Sequence, residues 1–153
     1  MGGKTMAFSV PGVPKGQGRP RATIRDGHAT TYKDEKSRTY ESFVALCCRQ
    51  AMEQQGITGN IGQDECPSGV KVFITADFMV PKSFSKAKCK EAAMGNLRPT
   101  KKPDADNIAK SILDGITLAG FWQDDSIVVL QNCAKWYTVA EPKVDVVLAW
   151  EMV

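Results

Sequence analysis

Between Lys33 and Gln55, Tyr40, Phe43, Val44, Cys47 and Ala51 recur at helical spacing, while Lys36, Arg38, Glu41, Arg49 and Glu53 fall mostly elsewhere. A helix is expected there, closed by Gly56. Val70, Val72, Ile74, Ala76, Phe78 and Val80 alternate with Lys71, Phe73, Thr75, Asp77 and Met79, which predicts a strand inside a sheet, because its second face is also partly apolar. Ala7 to Val10 reads as a short first strand ended by Pro11-Gly12, and Thr58 to Gly69 as a polar loop. Ser85 to Met94 suggests a short lysine-rich helix stopped by Gly95-Asn96. Ile127 to Trp136 and Val144 to Met152 alternate on either side of Glu141-Pro142, the pattern of an antiparallel hairpin. Val144, Val146, Leu148, Trp150 and Met152 are expected to face the core or a second subunit.

One further helix carries the chemistry. From Asp104 onward, Ala105, Ile108, Ala109, Ile112, Leu113 and Ile116 form an apolar stripe, and Asp106, Asn107, Lys110, Ser111 and Asp114 gather opposite it. Asp106, Lys110 and Asp114 stack on one polar edge. Pro103 suits a start, the acidic first turn suits the macrodipole, Gly115 is a weak point and Gly120 the stop. After Gly120 comes Phe121-Trp122-Gln123-Asp124-Asp125. Either acidic pair alone is a cap or a turn. Together they supply clustered oxygens for a hard divalent cation if the next strand folds back beside the helix.

Positive charge is clustered rather than abundant. Of 153 residues, 20 are Lys or Arg against 17 Asp or Glu, so the formal net charge of +3 does not by itself imply a nucleic-acid partner. Lys15, Arg19, Arg21 and Arg25 nevertheless share a glycine- and proline-rich loop without an acidic residue, and Arg98, Lys101 and Lys102 lead directly into Asp104. Arginine forks and open backbone amides suit phosphate oxygens, although a solvated loop has the same composition. No phosphate-binding loop of the Gly-x-x-x-x-Gly-Lys type is present, and His28 reads as a turn residue without chemistry. The five cysteines lack the spacing of a zinc site or disulfide framework. Length and composition fit one globular domain over residues 1–153. Neither a signal peptide nor a membrane-length apolar run is visible, so a cytoplasmic protein is expected.

The residues Asp104, Asp106, Asn107, Lys110, Phe121, Trp122, Asp124 and Asp125, with Pro14-Lys15-Gly16-Gln17-Gly18-Arg19-Pro20-Arg21 and Tyr40-Glu41, resemble the RusA-type Holliday junction resolvases, in their Gram-positive and phage branch. The order of elements argues for an α/β fold, a small mixed β-sheet with helices packed on it, and the resemblance implies the same. It further implies a homodimer cutting branched DNA, four-way junctions in particular, by metal-assisted phosphodiester hydrolysis. Mg2+ would be the cofactor, with Mn2+ able to substitute. Asp104, Asp106 and Asp125 would be the metal-binding carboxylates and Lys110 a fourth catalytic group stabilising transition-state charge. Asp124 and Asp114 would support them or be purely structural. Lys15, Arg19, Arg21, Arg25, Arg98, Lys101 and Lys102 would hold DNA. A nuclease for forks or flaps would keep this chemistry. A non-catalytic accessory protein would instead pair the carboxylates with Lys101, Lys102 and Lys110.

Overall fold

The computed structural model describes residues 2–18 and 21–153. The chain runs β1 (Gly2–Pro11), β2 (Arg21–Arg25), β3 (His28–Tyr32), α1 (Glu35–Gln55), β4 (Val70–Met79), α2 (Lys86–Ala93), α3 (Ala105–Ala119), a 3-10 turn (Asp125–Ile127), β5 (Val128–Thr138) and β6 (Lys143–Met152). Four strands make one mixed sheet in the order β1-β6-β4-β5, and β2 and β3 form a separate antiparallel pair. This is the small mixed α/β arrangement the sequence implied.

The core is a single layer between sheet and helices. Met6, Phe8 and Val10 on β1, Val70, Val72, Ile74 and Ala76 on β4, and Val144, Val146, Leu148 and Trp150 on β6 are buried together with Ile108, Ile112 and Ile116 of α3. Strict alternation on β4 and β6 sends these residues to one face, and burying them supplies the main stabilising term. Trp150 therefore belongs to the core, where its ring meets Phe121 edge-on at 5.1 Å, and offers nothing to a second subunit.

Four expectations are corrected. The first strand begins at Gly2, because all ten residues of β1 pair with β6. β5 and β6 are not a hairpin: β4 lies between them, parallel to β5 and antiparallel to β6. The residues between Thr138 and Lys143 cross the end of β4, and Val80 N–H bonds Thr138 O at 3.1 Å beneath that crossing. Apolar alternation marks strands but does not choose their neighbours. On α1 the buried line is Tyr40, Val44, Cys48, Ala51 and Met52, while Phe43 is exposed and Cys47 only partly covered. The stripe is thus rotated toward Cys48, because the helix buries its contact with α3 as well as with β1. Finally, Asp26 (φ 52°) and Gly27 (φ 79°) form the left-handed pair of a tight turn, and His28 is the first residue of β3, opposite Arg25. The basic segment ends as a β-arm rather than a loop.

Candidate nuclease site

The head of α3 is built as a start without a cap. Asp104 occupies the N-cap position in extended conformation (φ −67°, ψ 150°), yet its side chain makes no capping bond. Among the described residues, no hydrogen bond or ion pair engages the carboxylates of Asp104, Asp106 or Asp125. None of the nearby lysines pairs with these carboxylates. Lys110 Nζ lies 3.6 Å from Asp114, one turn further along α3, and the Lys101 carbonyl accepts a bond from Lys135 Nζ at 2.7 Å. Two unneutralised carboxylates at a helix N-terminus favour a cation, and Mg2+ is bound through one or two carboxylates with waters and substrate phosphate completing its shell.

Asp125 is far from this pair. The fifteen residues of α3 separate the two acidic segments by about 22 Å at 1.5 Å per residue. The strand does fold back beside the helix, as the sequence argument required, but it brings the wrong residue to the head of α3. Cys133, not Asp125, lies near Asp106: burial pushes its thiol up to about 11, partly offset by Lys135, with the Asp106 charge adding to the rise. Among the described residues no three acidic, histidine or cysteine side chains converge as a metal cluster. The reason lies in Phe121 and Trp122, both buried, with Trp122 Nε1 donating to Thr117 Oγ1 at 2.7 Å. They anchor the tail of α3, so the following Asp124 and Asp125 emerge at that end. Asp124 is a turn cap: it accepts the Ser126 N–H at 3.0 Å, and hydrogen bonding from the Ser126 side chain, with this backbone bond, holds its carboxyl below the usual range.

The basic loop is fastened to the same half of α3. Gln17 N–H bonds Asn107 O at 3.0 Å, Ser111 Oγ donates to Lys15 O at 2.8 Å, and Gly18 N–H bonds Ser37 Oγ at 2.8 Å. Gly16 has no room for a side chain, since a Cβ there would stand 2.9 Å from Pro103 Cβ and 3.0 Å from Asn107 Cβ. Ser111, expected on the polar face, is buried because it serves this loop. Behind it sits a network that spacing alone did not reveal. Asp114 Oδ2 accepts from Lys33 Nζ at 2.9 Å and Gln17 Nε2 at 3.1 Å, and Lys33 also reaches Glu41 at 2.6 Å. A cleft of about 580 Å³ opens between loop, α1 and α3, lined by Lys15, Lys36, Lys102, Asp104 and Asn107 among others.

Of the remaining expected DNA contacts, Arg25 is exposed on the β-arm. Arg19 lies outside the described residues, and of Arg21 only the backbone, in β2, is described. Arg98 stacks at 3.4 Å over Trp136, and its Nε donates to Lys135 O at 2.6 Å, so part of its guanidinium is structural. Lys101 and Lys102 are exposed beside Asp104. Lys36, which also lines the cleft, was legible only as a charge on α1.

A family model described as endodeoxyribonuclease RusA matches residues 11–149. The chain belongs to the RusA endodeoxyribonuclease family. A Bacillus subtilis (strain 168) protein named uncharacterized protein YqaN is 38% identical over 143 residues, covering 92% of this chain and 93% of its own. A solved structure of a cyanuric acid hydrolase overlaps 98% of this chain but only 38% of its own length, at 13% identity and a TM-score of 0.36, too low to bear on the fold. Membership makes the protein an endodeoxyribonuclease, a DNA-cleaving hydrolase. No helix among the described residues is long and apolar enough to cross a membrane.

Proposed function

We propose that the protein resolves four-way DNA junctions as a homodimer whose two metal-dependent sites are each shared between subunits. Asp104 and Asp106 of one copy would hold the cation together with Asp125 of the other. The observation that carries this reading is the pairing pattern: the three carboxylates are unengaged while Lys110 pairs with Asp114. An accessory protein with a structural acidic cluster needs the opposite pattern. The two acidic segments lie at opposite ends of a helix about 22 Å long, which speaks against one chain supplying all three ligands, and a two-fold assembly would offer each site its third.

When bound, Mg2+ or Mn2+ would activate water for attack on phosphorus and neutralise the phosphate oxygens. The chain's own residues do the rest. Asp104 and Asp106, at the head of α3, would hold the cation. Lys110, with its side chain 61% exposed, is held by Asp114 on the same helix edge and can meet charge that develops on the phosphate. Lys15, Lys101 and Lys102 flank the same ground and hold the strand, while the β-arm with Arg21 and Arg25 reaches a neighbouring duplex arm.

Incubation with a synthetic four-way junction, a fork and a plain duplex, each with Mg2+ or EDTA, tests the reading. Paired symmetric cuts in the junction, lost in EDTA and in Asp106→Asn, are expected. Preferential cutting of forks would change the substrate and keep the chemistry. Cleavage unaffected by EDTA, or retained by Asp106→Asn, would refute the metal site.

A further inference from the structure

We infer that the two copies join through the free edge of β5, paired antiparallel about a two-fold axis at Leu130, which faces its own copy there. This rests on the dimeric reading above and specifies its interface. β5 is the outer strand of the sheet, bonded to β4 alone. Because Val80 bonds Thr138 O, the even-numbered residues of the regular ladder point their backbone groups at β4, and Gln131, Cys133 and Lys135 point theirs outward. Arg98 takes the Lys135 carbonyl. Among the described residues neither a strand nor a side chain pairs with Gln131 or Cys133 there.

Edges left open in this way are normally guarded by lysine, proline or a covering element. Here α2 and Arg98 cover only the far half of β5, and the exposed run Val129-Leu130-Gln131-Asn132 carries no charge at all. Val129 is an extra residue where the register skips from Val128 to Leu130, and it twists only the very start of the strand. Open, uncharged strand edges accept another strand.

Two features select a second copy as that strand. Charge is divided along β5: Asp124 and Asp125 precede it, while Lys135, Arg98 and Lys101 cluster at its other end. Antiparallel pairing across a two-fold axis sets acid against base at both ends of the interface. The same operation carries Asp125 of a second copy level with Lys135, whose Nζ bonds the Lys101 carbonyl just before the head of α3. The separation that breaks the site within one chain is thereby undone. Parallel or off-centre pairing leaves Asp125 at the wrong end.

Sedimentation and junction cleavage of wild type, Gln131→Pro and Leu130→Lys test the interface. Proline removes an outward N–H that bonds nothing within the chain, and lysine at the axis sets like charges face to face. Wild type should be a dimer. Both variants should keep the wild-type circular dichroism spectrum, raise the monomer–dimer midpoint by at least about tenfold and lose cleavage in parallel, with recovery at high protein concentration. If Gln131→Pro fails to fold, Leu130→Lys decides. Variants that remain dimeric and active overturn the β5 interface and leave the shared site standing elsewhere. A fully active wild-type monomer overturns the dimeric reading itself.

Discussion

Asp114 shows how much of a site can depend on a residue with no place in the chemistry. Its carboxylate, 14% exposed, receives Lys33 and Gln17 on one oxygen and faces Lys110 on the other, so loop, helix entry and Lys110 share one anchor. Asp114→Asn should cost about 1–3 kcal/mol in urea unfolding, since it weakens charge-assisted bonds at a largely covered position. It should also lower kcat more than junction affinity, as Lys110→Ala should. A variant with wild-type turnover and only lowered stability would leave Asp114 a purely structural residue. Burial lowers the Lys33 pKa, but the bonds to Glu41 and Asp114 outweigh it, and the net value is raised above the ordinary 10.5. The folded state then holds its proton more tightly than the unfolded chain, so this contribution is complete below pH 10.5 and disappears as pH rises through the folded value. Wild-type stability should fall above that pH, and Lys33→Met should flatten the fall. Asp104→Asn and Asp106→Asn should each reduce cleavage at least about a hundredfold with little change in binding, because a neutral isostere preserves shape and removes the charge a cation needs.

At the scale of elements, the meeting of α1 and α3 sets the geometry of the loop above them. Gly115 looks like a flaw in α3 when read as sequence, yet a Cβ there would stand 2.4 Å from Val44 Cγ1 and 3.1 Å from Glu41 O. Gly115→Ala should therefore destabilise by about 1–3 kcal/mol even though alanine favours the helix by ~1 kcal/mol, and Val44→Ala should relieve part of the loss. The β-arm has the opposite character. β2 and β3 bond mainly to each other, their tip is exposed with Ile24 77% accessible, and a lone two-stranded ribbon is marginal in water. Its order is expected to come from DNA. Lys15→Ala with Arg25→Ala should weaken every DNA shape alike and flatten the salt dependence by about two phosphate contacts; an unchanged slope would leave these side chains solvated. The helices were legible because their caps and stripes are local: Asp34 caps α1 through the Ser37 N–H, and Gly56 and Gly120 close α1 and α3 in left-handed conformation. Strand order was not, since alternation on β5 and β6 is equally satisfied by a hairpin and by strands flanking β4. A turn at Asp26-Gly27 was legible, but the strands it joins were not, because they are polar and lack an apolar alternation to announce them.

The whole molecule turns on a distance that sequence spacing could not convey. Asp104, Asp106 and Asp125 lie close along the chain, and a motif reading naturally gathers them into one site. The rise of α3 and the burial of Phe121 and Trp122 at its tail put them at opposite ends of the subunit. Candidate ligands were thus visible in the sequence, but the separation from which the shared site is proposed was not. Mixing purified Asp106→Asn and Asp125→Asn proteins, each inactive alone, measures this directly on a four-way junction with Mg2+. If the site is shared, a mixed dimer has one site carrying both substitutions and one carrying neither, so nicking returns, approaching half the molecules at equal mixing after subunit exchange. If each chain builds its own site, every site in the mixture carries a substitution. Restored nicking is the result expected here; a mixture as inactive as its parts, with mixed dimers shown to have formed, would contradict it.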